Sequence, residues 1–323
     1  MFKKKRLALL ATLAILIAIG VKYSPAIAIA IGLSLAAAMG LLALYKFLVA
    51  TRGVSELEQL APRYAYPILI ENARARTAPD TPLRIAVLGD TRNNRKIAAR
   101  VYEQIAQDTP AAVFHTGDII RHGAAAEYLN NHIALLEKYI PAIPVFCVPG
   151  NHERGARRDF ATFRALYGAT RFAFELHGTQ FIGFNNSGKG RLPQEDFDWL
   201  RATLEASQAT HRFVFFHIPP AFFEATFVND ARRRGFTKRA EELHELFQKH
   251  NVNEVFMAHI HGYASTVRDT VRYTLTAGGG APLSHRIVPE NRVYHYLVLH
   301  IENGQIRREV IRLQNGAWQR ATE

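Results

Sequence analysis

The sequence has one cysteine, Cys147, in 323 residues, which excludes an intrachain disulfide framework and a thiolate zinc cluster. Acidic residues are missing from the first 52 positions, which carry seven cations: Lys3, Lys4, Lys5, Arg6, Lys22, Lys46 and Arg52. More than half of the formal net charge of +12 therefore sits at the N-terminus. From residue 83 onward 30 basic residues face 24 acidic ones, with no long basic stripe, so nucleic acid is not the expected partner. Glycine and proline are not in excess, at 21 and 14, and 48% of residues are hydrophobic; disordered, collagenous and low-complexity classes are excluded. Histidine is plentiful, with 14 copies. Any metal bound here would take imidazole and carboxylate donors.

The cationic end alternates with apolar runs. Leu7 to Val21 carry no charge, and after Lys22-Tyr23-Ser24-Pro25 a second uncharged run extends from Ala26 to Tyr45. At 1.5 Å rise per residue the second reaches about 30 Å, the thickness of a bilayer core. The first reaches about 22 Å and needs thinning or snorkelling by Lys5, Arg6 and Lys22. The expectation is a membrane anchor over 1–50, a transmembrane helical hairpin of helices 7–21 and 26–45. The same N-terminus also fits a secretory signal, with Ala26-Ile27-Ala28 as a cleavage site. Two spans put the rest of the chain on the cytoplasmic side of the inner membrane by the positive-inside rule; one span with its N-terminus inside puts it outside. Ala28, Gly32, Ala36 and Gly40 form a small-residue stripe suited to helix–helix self-association. Residues 51–82, interrupted by Pro62, Pro67, Pro79 and Pro82, are expected as a linker near the membrane surface in which only Val54–Leu60 extends a helix. Residues 83–313 are then the catalytic domain, long enough for one sizeable core, and 314–323 a C-terminal tail.

Beyond Pro82, short β-rich runs alternate with helical patterns, the mark of an α/β domain. Each strand stops at polar residues. Leu83–Leu88 ends at Gly89-Asp90-Thr91-Arg92, Ala111–Thr116 at Gly117-Asp118, and Val145–Pro149 at Gly150-Asn151-His152-Glu153. Phe213–Phe216 ends at His217, and Val255–Ala258 at His259-Ile260-His261. A single Gly-Asp after a strand is ordinarily a turn with a helix cap, and a single strand-end histidine is ordinarily a core residue. Five such ends in one domain point to the carboxyl edge of the sheet, where α/β proteins bind ligands. In an extended segment i and i+2 share a face, so His259 and His261 face one site.

In this order the five segments resemble the signature of the calcineurin-like metallophosphoesterase superfamily, over roughly Leu83 to Leu313. The segment from Pro193 to Leu200 is similar to the family's helix before the fourth motif, and Gly278-Gly279-Gly280 to the run after the fifth. The resemblance implies a four-layer α/β/β/α sandwich with one or two divalent metal ions (Mn, Fe, Zn or Mg) at the strand ends. It implies hydrolysis of phosphomonoester, phosphodiester or pyrophosphate bonds by attack of a metal-activated water. It implies Asp118 as the metal bridge, Asn151, His217 and His259 completing one metal site, Asp90 and His261 serving the other, and His152 as general acid or transition-state donor. Two metals roughly 3.5–4 Å apart suit in-line displacement at phosphorus.

The pattern departs from the family at two positions. Asp90-x-Arg92 stands where the family has Asp-x-His, and a guanidinium cannot ligate a metal. The purple-acid-phosphatase branch also lacks that histidine but has a tyrosine three residues after the second-motif aspartate; here Arg121 stands there. Arg92 and Arg121 are instead expected to bind substrate phosphate, Arg92 as a bidentate clamp. His115, His122 and His285 lie near enough in sequence to be weighed, with a structural or surface role expected. Gly183 to Gly190 nearly matches a P-loop but lacks the Ser/Thr that would meet magnesium. Arg232-Arg233-Arg234 with Phe222, Phe223 and Phe227 is either a solvated loop or a contact for an anionic headgroup. The leading expectation is a membrane-anchored metal-dependent phosphoesterase whose substrate is a small phosphorylated molecule or a lipid-linked one. The alternatives are a non-catalytic metal- or phosphate-binding membrane module, and a nucleotide phosphodiesterase or nuclease of the same fold.

Overall fold

The computed structural model describes residues 24–78, 81–155, 158–188, 191–228 and 235–323, in two compact units, 1–52 and 53–323. In the first unit Pro25–Thr51 form one helix of 27 residues. Proline fits its first turn because the missing N–H has no intrahelical partner there. Its stretch Pro25–Tyr45 has a mean hydropathy of 2.4 and is, among the described residues, the one helix long and apolar enough to cross a membrane. Large apolar side chains stand open along it, among them Leu33 and Met39, and Gly32 and Gly40 have no neighbour within 4 Å of an added Cβ. Among the described residues there is one apolar helix rather than a hairpin; the other expected segment, 7–21, lies outside them.

The second unit starts earlier than the prolines suggest. Val54–Tyr64 and Tyr66–Ala75 are helices, where the sequence reads as a linker. Their apolar residues Leu57, Tyr66, Leu69 and Ala73 are buried in the main core. The Tyr66 hydroxyl donates to the Cys147 carbonyl at 2.6 Å, and its ring stacks on Tyr167 with centroids 5.7 Å apart. Pro67 stands in the first turn of its helix, so it marks a helix start rather than a loop.

Among the described residues, twelve strands build two mixed six-stranded sheets. The first has the order β12-β11-β10-β1-β2-β3 and the second β4-β5-β6-β7-β9-β8. Their ranges are β1 Leu83–Leu88, β2 Ala112–His115, β3 Val145–Cys147, β4 Phe172–Leu176, β5 Thr179–Gly183 and β6 His211–Phe215, followed by β7 Glu254–Met257, β8 Tyr263–Arg268, β9 Val271–Thr276, β10 Tyr294–Glu302, β11 Gln305–Gln314 and β12 Ala317–Thr322. The final strand corrects the expected tail: residues 317–322 pair antiparallel with β11 from Glu309↔Thr322 to Gln314↔Ala317.

The sheets face each other across an aromatic layer. Phe114 of β2 stacks on Phe215 of β6 at 4.4 Å and on Phe181 of β5 at 4.8 Å, and Phe146 of β3 on Phe174 of β4 at 4.7 Å. Alternation along β6 shows why: Phe213 and Phe215 join the inter-sheet core, while Val214 joins a second core with Leu200 and Phe247 of the helices Gln194–Ala206 and Ala240–Lys249. Successive side chains of a strand point to opposite faces, so one strand serves both layers. A fully buried phenylalanine contributes roughly 1.5–3 kcal/mol. On the first sheet the helix Arg95–Asp108 buries Val101, Tyr102 and Ile105.

Strand direction places the site. β1, β2 and β3 run parallel, as do β5, β6, β7 and β9, so each set delivers its carboxyl ends to one edge. Backbone bonds stitch the two edges together. Gly279 N donates to Gly89 O at 2.8 Å and Ala281 N to Asp90 O at 2.7 Å. A Cβ at Gly279 would lie 2.6 Å from Gly89 O, so the glycine run after β9 is needed for this close approach.

Candidate metal centre

The strand-end turns carry unusual backbone. Asp90, Arg92, Asp118 and His259 all have positive φ, at 56°, 44°, 55° and 75°. Asp and His tolerate this region better than most residues, but each such residue still stores strain of order 1–3 kcal/mol. The neighbours hold it in place: Asp90 N donates to Gly117 O and Arg92 N to Asp118 O, both at 3.0 Å. Gly150 sits so close that a Cβ there would meet Asp118 Oδ1 at 2.2 Å.

These turns bring five of the expected residues together. The ligand atoms of Asp118, His217 and His259 lie within 4.8 Å of one another, as do those of Asp90, Asp118 and His261. Asp118 belongs to both groups. His217 Nε2 is 3.3 Å from Asp118 Oδ1 and His261 Nε2 is 3.2 Å from Asp90 Oδ1. Each ring is oriented from behind by a carbonyl: His217 Nδ1 donates to Thr116 O at 2.9 Å and His261 Nδ1 to Pro282 O at 2.7 Å. That leaves both Nε2 atoms facing carboxylates, where a bound cation would take the place of a proton.

The orphaned atoms fit a divalent ion. Asp90 Oδ1, His217 Nε2 and Asn151 Oδ1 are buried without a hydrogen-bond partner, and buried polar atoms ordinarily have one. Asn151 follows Gly150 and precedes His152, whose amide donates to Asp118 Oδ1 at 3.0 Å. Oxygen and imidazole donors without sulfur suit Mn, Fe, Zn or Mg.

Electrostatics in the cluster oppose each other. Burial works against ionisation of Asp118, but the charge of His217, with that of His152, outweighs it and holds the carboxyl well below the usual range. Burial disfavours the His217 imidazolium too, yet the Asp118 charge, with that of Asp90, pushes it up to about 9. His259 goes the other way: burial first, then repulsion from His217, lower it to about 3. His261 is raised because Asp90 outweighs its burial.

Arg92 and His152 form the open side. The Arg92 guanidinium contacts His152 Nε2, and its Nε stands 3.7 Å from Asp118 Oδ2. His152 Nδ1 donates to the Arg121 carbonyl at 2.6 Å. With Nδ1 turned to that carbonyl, His152 Nε2 faces Arg92 on the open side of the cluster. The Arg121 side chain is exposed, and its carbonyl is the group that meets His152. His122 is bound to Glu127 at 2.9 Å, and buried His115 to the Thr91 hydroxyl at 3.0 Å. Neither reaches the cluster. His285 is exposed, and Arg232–Arg234 lie outside the described residues.

Glu153 is the residue that sequence reasoning left without a role. Its carboxyl accepts from Asp118 N at 2.8 Å, Gly150 N at 2.6 Å and Ile120 N at 3.1 Å, tying the second and third turns together. Burial, then the Asp118 charge, raise it to about 8. The signal was its place directly after Gly-Asn-His.

Known proteins are similar to this chain. Acid phosphatase type 7 of Homo sapiens and of Mus musculus are each 25% identical over 205 residues, covering 56% of this chain and 46% of theirs. The chain spans about half the length of these curated relatives. Among solved structures, purple acid phosphatase PPD1 from yellow lupin (Lupinus luteus) seeds superposes with a TM-score of 0.62 at 16% identity, covering 75% of this chain and 54% of that one. GAP50, the anchor in the inner membrane complex of Plasmodium, gives 0.58 at 14% identity, covering 75% and 88%. PhoD gives 0.57 at 14% identity, covering 76% and 69%. These likenesses show an α/β sandwich of two mixed sheets. Residues 83–263, more than half of the chain, match the family model of the calcineurin-like phosphoesterases, and the chain belongs to that family of hydrolases.

Proposed function

We propose that this protein is a membrane-anchored, metal-dependent phosphatase whose preferred substrate is a phosphomonoester carried by a lipid or by a small molecule near the bilayer. The observation that carries the reading is the convergence of Asp90, Asp118, His217, His259 and His261 at one sheet edge, with ligand atoms left orphaned in a buried setting. The phosphatase names of the sequence relatives and of the lupin structure favour monoesters over diesters. Asp118, His217, His259 and Asn151 would hold one divalent ion, and Asp90 and His261 face the other side of Asp118. Divalent ions bound there supply Lewis-acid polarisation of the phosphoryl group and a lowered water pKa.

The chain's own residues do the rest. Arg92, pinned by His152, presents N–H groups to phosphate oxygens beside Asp118, where a charge-assisted bidentate contact is strong and directional. The Thr116 and Pro282 carbonyls fix the imidazole tautomers, and Glu153 fixes the Asp118 backbone. The helix Pro25–Thr51 anchors the enzyme. Its N-terminal flank holds Lys3, Lys4, Lys5, Arg6 and Lys22 against Lys46 and Arg52 behind, so one span keeps the N-terminus inside and presents the phosphoesterase unit outside. A signal-sequence reading of the same segment gives the same side.

The test is hydrolysis of p-nitrophenyl phosphate and bis(p-nitrophenyl) phosphate by the full chain in detergent with added manganese, then of a phosphorylated lipid in vesicles. Faster monoester cleavage is expected. Diester cleavage alone would move the protein to the phosphodiesterase reading, and no cleavage of any ester would leave a binding module.

A further inference from the structure

We propose that the Arg92 guanidinium takes the place of the second metal ion, so that this chain binds one divalent cation rather than two. The proposal rests on the phosphoesterase reading and deepens it.

Asp118 divides its two oxygens between two environments. Oδ1 faces His217 Nε2 at 3.3 Å and the His152 amide at 3.0 Å. Oδ2 faces Arg92 Nε and His152 Nε2, each at 3.7 Å. The oxygen turned away from the His217 side is therefore already met by a permanent cation.

The backbone is built to put it there. Arg92 adopts φ 44°, a left-handed conformation that arginine rarely takes, and its amide is tied to the Asp118 carbonyl at 3.0 Å. Residue 92 and Asp118 are locked as a pair, and His152 holds the far end of the guanidinium. Arg92 Nε is itself buried without a hydrogen-bond partner, so it stands there as a charge beside the carboxylate rather than as a satisfied donor.

The ligand supply on this side is short. The His217 side has Asp118, His217 and His259. The other has, among the described residues, Asp90, Asp118 and His261, with Asp90 Oδ2 already accepting from the His259 amide at 2.9 Å and Asp90 Oδ1 facing His261 at 3.2 Å. A divalent ion placed among those three would share Asp118 Oδ2 with the guanidinium, and two cations at such range repel strongly in a partly buried site. Guanidinium also offers what an ion would offer to phosphate, a fixed positive charge and parallel donors.

The experiment counts metal without using activity. The full chain in detergent is stripped with chelator, dialysed against micromolar manganese and assayed by elemental analysis and by manganese electron paramagnetic resonance. Wild type should bind one equivalent with an uncoupled spectrum. Arg92→His, which removes the charge and adds a donor, should bind two with an exchange-coupled pair. Arg92→Gln, which removes the charge without adding an imidazole, should take up a second equivalent at about tenfold or more higher free metal than Arg92→His; near-ultraviolet circular dichroism establishes that each variant is folded. Two equivalents in wild type overturn the proposal, as do folded His and Gln variants that both stay at one. Wild type with one ion and no hydrolysis of any ester leaves the count standing and removes the phosphatase reading. Wild type with no bound ion removes both.

Discussion

Replacing Glu153 by glutamine separates the frame of the metal centre from its ligands. Oε2 accepts from two amides, those of Asp118 and Gly150, and Oε1 accepts from the amide of Ile120. The glutamine carbonyl keeps the two-amide side at best. Its NH2 then meets the Ile120 amide donor to donor, in a pocket where Glu153 is fully buried. This holds whichever protonation state Glu153 has, because a carboxylic oxygen accepts a hydrogen bond and an amide NH2 does not. A buried donor left without a partner costs about 1–3 kcal/mol, and in a unit of this size each kcal/mol lowers the melting temperature by roughly 2–4 °C. The same change loosens the turn in which Asp118 sits at φ 55°. Residues that orient metal ligands from behind typically affect metal affinity about 10- to 100-fold, and a loss in that range is expected here. Thermal denaturation with and without metal, together with a competitive metal titration, reads both effects. A variant with unchanged melting temperature and unchanged affinity refutes the organising role given to Glu153.

Three further outcomes follow from the same structure. A chain beginning at Gly53 should fold, whereas one beginning at Leu83 loses the buried Leu57, Tyr66 and Leu69, worth roughly 1.5–3 kcal/mol each, and strands the Cys147 carbonyl; calorimetry of the two truncations should show the shorter one melting far lower. Burial lowers His132 to about 3 from an ordinary 6.5, so between those values the unfolded chain takes a proton that the folded one refuses, and stability falls on acidification by up to about 1.4 kcal/mol per pH unit. Urea titrations between about pH 7 and pH 4.5 should show a shallower fall for His132→Phe, even though that variant is weaker at pH 7 for want of the Tyr167 contact. Protease added to intact cells should cut the phosphoesterase unit while sparing a cytoplasmic marker; protection of the unit until lysis would reverse the proposed orientation.

The strand ends were legible because α/β physics puts ligands there and because five polar turns in one order are hard to obtain otherwise. The short β-rich runs that become β6 and β7 were equally readable. The helices over 54–75 were misread because Pro62 and Pro67 look like loop residues until packing shows them at a helix end and a helix start. The strand Ala317–Thr322 carries little apolar character, and only its pairing with β11 defines it. At the centre, the side chains were visible in sequence but their orientation was not. Carbonyls of Thr116, Pro282 and Arg121 set three imidazoles, and a carbonyl leaves no trace in residue identity. The contact between Arg92 and His152, 60 positions apart, likewise needed the fold.

The central claim is that this strand-end cluster hydrolyses phosphoesters with bound metal. Its most direct measurement is inorganic phosphate release by the full chain after chelation and after metal return, beside Asp118→Asn treated identically. The structure predicts that wild-type activity disappears with the metal and returns with it. Asp118→Asn should bind little metal and stay at or near background, because Asp118 is shared by both ligand groups and supplies their common charge. Phosphate release that survives chelation, or that persists in a folded Asp118→Asn, would contradict it.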